Sequence, residues 1–180
     1  MAVDKLNILL KQQQKLFHTN DLGLLWEIQN RNTLYTTIAR FTRKGVLSPV
    51  HKGLYSVVPL HQLDPVYLGV HILHRYAYLS TETVLANAGV ISQMVYPTTF
   101  VSDVSRSFSF GNNQFLCRKL KPEFLHNPAG IEARADGVFI ATIERAIADM
   151  RYFQPTYHFD SRTYNDWKKV KKIQQEVGYI

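Results

Sequence analysis

Thr33-Leu34-Tyr35-Thr36-Thr37-Ile38-Ala39-Arg40-Phe41-Thr42-Arg43-Lys44-Gly45-Val46-Leu47-Ser48-Pro49-Val50-His51-Lys52-Gly53-Leu54-Tyr55 is the stretch on which the fold turns. Leu34, Ile38 and Phe41 recur at helical spacing, and at about 100° per residue they fall within about 60° of one another. Thr33, Thr36, Arg40 and Arg43 then lie on the opposite side, with Ala39 between. Gly45 ends this helix, since a residue free to take positive φ suits the C′ position. Two short β-type runs follow, Val46 to Val50 and Gly53 to Val58, around a polar turn, His51-Lys52-Gly53, with a basic tip. Upstream, Thr19 or Asp21 caps another helix carrying Leu22, Leu25, Trp26 and Ile28, and the polar break Gln29-Asn30-Arg31-Asn32 ends it. Earlier still, Val3, Leu6, Leu9, Leu10 and Gln13 mark an amphipathic first helix. Two helices joined by a polar turn, the second basic, and then a basic hairpin predict a winged helix-turn-helix. A small helical bundle with an incidental hairpin is the competing expectation.

No carboxylate occurs from Thr33 to Val50. A face of this kind suits the major groove: threonine methyls match the thymine methyl, and an arginine forks onto guanine O6 and N7 or onto a phosphate. The expected DNA contacts are Arg31, Asn32, Thr33, Thr36, Thr37, Arg40, Arg43, Lys44, His51 and Lys52. A merely solvated basic face has the same composition, so the adjacent hairpin is what favours DNA.

The 180 residues, 46% of them hydrophobic, suffice for one large domain or two small ones. A net charge of +7 and a pI near 9.5 favour polyanionic partners. Residues 1–63 hold eight basic side chains against three acidic, residues 64–149 seven against eight, and residues 150–180 six against three. A basic front, a neutral middle and a basic tail imply two units, divided within Pro59-Leu60-His61-Gln62-Leu63-Asp64-Pro65. The expected domains are therefore 1–63 and 64–180. No long apolar run or signal-like N-terminus occurs, so no membrane partner is expected. The single cysteine, Cys117, excludes a disulfide framework and fits a reducing, cytoplasmic setting.

The second unit reads as mixed α+β. A helix carries Val66, Leu68, Val70, Ile72 and Leu73, a short strand runs through Tyr76 to Leu79, and a helix capped by Ser80 or Thr81 closes at Gly89. From Tyr96 to Leu120 the pattern is β, with strands near Thr98 to Val101, Ser107 to Phe110 and Gln114 to Cys117, and Gly111-Asn112-Asn113 as a hairpin turn. Ala135 to Ala141 reads as one further strand. Thr142 caps a helix in which Arg145 and Asp149 stand four apart and can pair. A last helix from about Thr163 carries Trp167, Val170, Ile173 and Val177 on one face and Lys168, Lys169, Lys171 and Lys172 beside it.

Catalytic constellations are weak. His71 and His74 lack the glutamate of a zinc-protease helix, and Cys117 sits in an alternating β run where a core thiol is expected. Glu132, Asp136 and Glu144 have no Glu-x-Lys partner for metal-dependent cleavage. No phosphate-cradling glycine loop occurs. Neither a cofactor nor a metal is expected.

The Thr33 to Tyr55 segment resembles the recognition helix and wing of AbiEi-type antitoxins, whose pattern ends in basic-Gly-apolar-Leu and then basic-Gly-apolar-Tyr. Tyr78-Leu79-Ser80-Thr81-Glu82-Thr83-Val84-Leu85-Ala86-Asn87-Ala88-Gly89 is similar to that family's Ser to Gly helix, with Ser80, Leu85 and Gly89 at its marked positions. Ala141-Thr142-Ile143-Glu144-Arg145-Ala146-Ile147-Ala148-Asp149 resembles its Thr-x-Glu-Arg-Ala…Asp signature, which singles out Thr142, Glu144, Arg145 and Asp149. The three motifs stand in the family's order over residues 17–150. The resemblance implies a transcriptional repressor that binds operator DNA, represses its own operon and opposes a nucleotidyltransferase-like toxin of a type IV toxin–antitoxin system, by function whether or not the two proteins touch. It does not imply an enzyme. Two other expectations stand beside it: a stand-alone winged-helix regulator whose second domain senses a partner or ligand, and, more remotely, a nuclease-like enzyme targeted by a winged helix.

Overall fold

A computed structural model describes residues 4–93, 97–160, 164 and 166–180. They fall into two compact units, Met1–Ile72 and Leu73–Ile180. The chain is mixed α+β.

The first unit opens with α1 (Lys5–Leu10), capped by Asp4, whose carboxylate accepts from the Leu6 and Asn7 amides. The helix is shorter than its apolar spacing predicts, and Val3 lies outside the described residues. Strand β1 (Leu16–His18), invisible to a periodicity argument because it is only three residues long, leads directly into α2 (Thr19–Leu25). The Asp21 carboxylate accepts from the His18 amide at 2.8 Å and fixes that junction. Helix α3 (Arg31–Arg43) begins at Asn30, whose side chain accepts from the Thr33 amide. It ends as the sequence predicts: Gly45 has φ 72°, its amide bonds Thr42 O, and Val46 N bonds Phe41 O. These two bonds satisfy carbonyls that the helix end would otherwise strand.

Strands β2 (Ser48–His51) and β3 (Leu54–Ser56) form the expected hairpin, and β1 adds to it, giving an antiparallel sheet in the order β1-β3-β2. Leu9, Phe17, Leu22, Trp26, Leu34, Ile38, Phe41 and Leu47 make one buried cluster. Gly23 marks the close approach of α2 to α3, since a Cβ there would lie 3.2 Å from Leu34 Cδ2. Helix α4 (Pro65–Leu73) lies in the first unit as far as Ile72. Its Tyr67 hydroxyl accepts from the Lys15 amide, and His18 Nε2 lies 3.0 Å from His71 O.

The second unit is built on a six-stranded mixed sheet. Its strands are β4 (Ala77–Leu79), β5 (Thr98–Ser102), β6 (Arg106–Phe110), β7 (Asn113–Lys119), β8 (Ile131–Ala133) and β9 (Phe139–Ala141), in the order β6-β7-β5-β4-β9-β8. The β4/β9 and β5/β7 pairs are parallel and the other pairs antiparallel. Its helices are α5 (Thr81–Asn87), the short α6 (Pro122–Leu125), α7 (Ile143–Phe153) and α8 (Trp167–Val177). Helix α8 packs on α7, and α5 on α7 and β5.

One expected strand is corrected. Ala135 to Val138 is a turn between β8 and β9, where Gly137 has φ 83° and Asp136 is gripped by Arg134. The Asp136-Gly137 pair is turn chemistry, and the apolar residues after it supply only the second arm of a hairpin. Helix α8 starts where Asp166 accepts from the Lys169 amide, and Thr163 and Tyr96 lie outside the described residues. Among the described residues no helix is long and apolar enough to cross a membrane.

Candidate nucleic-acid interface

Helix α3 presents two unlike sides. Leu34, Ile38 and Phe41 are buried, whereas Arg31, Asn32, Thr33, Thr36, Ala39, Arg40, Arg43 and Lys44 are exposed. His51 and Lys52, at the hairpin tip, are exposed as well. Two bonds tie the tip to the start of α2, because the Thr19 amide and hydroxyl both donate to Gly53 O, at 2.8 and 3.2 Å. Gly53 itself has φ 72°, a conformation that a β-carbon disfavours.

Thr37 does not share this exposed side. It is 8% exposed, and its hydroxyl donates to Thr33 O at 2.8 Å, so it packs with the core stripe. Thr36 likewise donates to Asn32 O at 2.8 Å, and Thr33 to Asn30 Oδ1 at 3.3 Å. Asn32, Thr33, Thr36, Thr37 and Arg40 line an open depression of about 320 Å³. Tyr35, 54% exposed at the edge of the same side, is not among the contacts the sequence predicts. The signal was present, because it stands about 100° from Leu34 and outside the apolar stripe. Arg40 and Arg43 also lie in the last turn, where cations offset the carbonyl end of the helix.

The residues singled out in the second unit converge elsewhere, on a buried node. Arg145 and Asp149 are both fully buried, with Nε 2.8 Å from Oδ1. Arg145 Nη1 donates to Asn127 O and Ala129 O, and Nη2 to Phe124 O and the Tyr78 hydroxyl, so all five guanidinium hydrogens have acceptors. Asp149 accepts further bonds from Ser80 Oγ at 2.7 Å and the Tyr179 hydroxyl at 2.5 Å. Burial works to lower the Arg145 pKa, but Asp149 and the two phenols outweigh it and hold the guanidinium above its ordinary value. Burial, followed by the Asp149 charge, raises the Tyr78 and Tyr179 hydroxyls.

The remaining motif residues build the frame of that node. Thr142 Oγ1 caps α7 by accepting from the Arg145 amide, and its own amide donates to Gly130 O. Leu85 is fully buried, and Gly89, at φ 68°, ends α5 with its amide on Ala86 O. Glu144 is partly exposed and accepts from the Tyr164 hydroxyl. A charged pair with every donor satisfied organises loops, and no group in it is left open to a substrate.

The weak catalytic constellations stay apart. Helix α4 ends at Leu73, and His74 takes φ 53°, so His71 and His74 do not share a helix face. Glu132 lies on β8, Asp136 in the following turn and Glu144 on α7, and no group of three metal-ligating side chains occurs among the described residues. Cys117 is buried in β7, and burial pushes its thiol up to about 11.

No family model matches the chain, and no curated protein matches it. The fold is similar to the crystal structure of the RV2827C protein from Mycobacterium tuberculosis, with a TM-score of 0.51 at 11% identity, covering 97% of this chain and 73% of that one.

Proposed function

We propose that the chain is a DNA-binding transcriptional repressor, its first unit a winged helix-turn-helix with α3 as the recognition helix and the β2–β3 hairpin as the wing. The observation that carries this reading is the acid-free exposed side of α3, with Asn32, Thr33, Thr36, Arg40 and Arg43 on one surface. The close α2–α3 approach at Gly23 and the Thr19–Gly53 bonds support it, because they hold the helix pair and the basic tip as one rigid element. Arginine and lysine would anchor phosphates while threonine and Arg40 read base edges.

The antitoxin half of the proposal rests on the resemblance to AbiEi-type proteins, in which the repressor opposes a nucleotidyltransferase-like toxin. The recurrent Ser80, Arg145 and Asp149 form the buried node, which supports a scaffolding role for the signature. An antitoxic surface would then lie on exposed residues of the second unit. The test has two arms: binding of the full chain to DNA upstream of its own gene, and growth rescue when it is co-expressed with a nucleotidyltransferase-like toxin, taken from the neighbouring gene if that gene encodes one. Operator binding with rescue supports both halves. Operator binding without rescue leaves a stand-alone regulator, and failure to prefer any DNA sequence overturns the proposal.

A further inference from the structure

We infer that the recognition side of α3 reads a pyrimidine 5-methyl group next to a guanine, a TpG step, with Thr36 as the residue that senses the methyl. The inference rests on the DNA-binding reading and adds to it the chemistry of the base step.

Of the three neighbouring threonines of α3, Thr33 and Thr36 stand on the exposed side and Thr37 is buried, and an exposed threonine would ordinarily offer the groove both a hydroxyl donor and a methyl group. Here the hydroxyl hydrogens are already committed: Thr33 to Asn30 Oδ1, Thr36 to Asn32 O and Thr37 to Thr33 O. Breaking such a bond to reach a base would exchange one hydrogen bond for another, with little net gain. What Thr36 adds to the exposed surface is therefore its methyl and an oxygen lone pair. The base-pair edge that rewards a methyl in the major groove is thymine, through C5.

Arg40 stands one helical turn from Thr36, and both line the same depression of about 320 Å³ with Asn32 and Thr33. Its guanidinium fork matches guanine O6 and N7, and its flat face can rest on the methyl of the neighbouring pyrimidine. Ala39 is exposed beside them and has no side chain long enough to hold the helix away from the base edges. No carboxylate on α3 competes for the fork.

The test begins by selecting duplexes that the full chain binds from a randomised pool. Each thymine of the enriched core is then replaced by deoxyuracil, which removes only the methyl. Binding is measured for the natural protein, for Thr36→Ser, which keeps the hydroxyl and loses the methyl, and for Thr36→Val, which does the reverse. At a thymine preceding a guanine, uracil should weaken the natural protein about three- to five-fold, the worth of one buried methyl. Thr36→Ser should lose that dependence and Thr36→Val should keep it, with all three proteins folded by circular dichroism. Indifference to uracil throughout the core overturns the inference, as does a methyl effect that survives in Thr36→Ser. A pool from which no sequence is enriched overturns the DNA-binding reading and this inference with it, whereas enrichment without a methyl effect overturns this inference alone.

Discussion

Ser80 Oγ donates to Asp149 Oδ2 at 2.7 Å, joining two stretches 69 residues apart at a point shielded from solvent. Asp149 is thereby held by Ser80, Arg145 and Tyr179 at once. Arg145 in turn ties α7 to β4 through Tyr78 and to the segment 124–129 through three carbonyls. Arg145→Ala should cost about 3–5 kcal/mol, because it strands a buried carboxylate. Ser80→Ala should cost less, about 1.5–3 kcal/mol, since it removes one bond to a charged acceptor. Urea unfolding of the full chain measures both, and equal losses would contradict this ordering.

Gly130 offers a second check on the node. Its φ is 69°, and a Cβ there would lie 2.7 Å from Arg145 Cβ, an approach that no rotamer change relieves. Gly130→Ala should lower stability by more than the roughly 1 kcal/mol expected for a left-handed residue alone. Gly45→Ala supplies the comparison, because its φ is 72° but nothing lies within 4 Å of the added carbon. The same loss at both sites would mean that the Arg145 contact does not constrain the loop.

The turn between α2 and α3 holds Glu27 at φ 55°, a left-handed conformation that side chains disfavour. Glu27→Gly should raise the melting temperature of the first unit slightly or leave it unchanged, the relief of strain outweighing or matching about 0.5–1 kcal/mol of added chain entropy. A marked drop in the melt would show that the Glu27 side chain contributes contacts of its own.

Alkaline conditions should weaken the second unit. Burial pushes the Cys117 thiol up to about 11, and burial with the Asp149 charge raises the Tyr78 and Tyr179 hydroxyls above their ordinary value of 10.0. The folded state then holds these protons longer than the unfolded chain does. The Cys117 contribution is complete below pH about 9 and is lost as pH rises through about 11, whereas the contributions of Tyr78 and Tyr179 are complete below their ordinary value of 10.0 and are lost above it. Urea midpoints from pH 7 to 11 should be flat and then fall, and Cys117→Ala should postpone the fall towards the tyrosine range. A constant midpoint to pH 11 would rule this out.

Much of the architecture was legible in side-chain period and chain punctuation. The Leu34, Ile38 and Phe41 stripe, the Gly45 stop and the Thr142 cap are each local, so sequence neighbours determine them. Strand β1 was not legible, because Leu16 to His18 becomes a strand only by pairing with Leu54 to Ser56. The strand expected over Ala135 to Ala141 takes in the turn before β9 and leaves out β8, since apolar Val138 to Ala141 outweighs the Asp136-Gly137 turn and Ile131 to Ala133 becomes a strand only by pairing with β9. Within the candidate interface, the exposure of Arg40 and Thr36 followed from helix angle alone. The burial of Thr37 did not, because it sits at the border of the stripe and packing decides which side it joins. Tyr179 was beyond reach for the same kind of reason: its bond to Asp149 depends on where α8 docks.

If the proposed DNA-binding reading holds, residues that anchor phosphates should behave differently from Arg40, which would read a base. Removing Arg43, Lys44 and Lys52 together should weaken binding to all duplexes alike and lower the slope of log affinity against log salt by about 1 per residue. An unchanged slope would place the DNA elsewhere on the molecule.

The most direct measurement compares the full chain with Arg40→Ala on two duplexes, the enriched operator sequence and a shuffled version of it, at one salt concentration. If α3 reads the major groove, Arg40→Ala should cost about 1–3 kcal/mol on the operator and much less on the shuffled duplex, narrowing the preference between them. Equal losses on the two duplexes would reassign Arg40 to a phosphate, and a natural protein with no preference between them would contradict operator recognition by this helix.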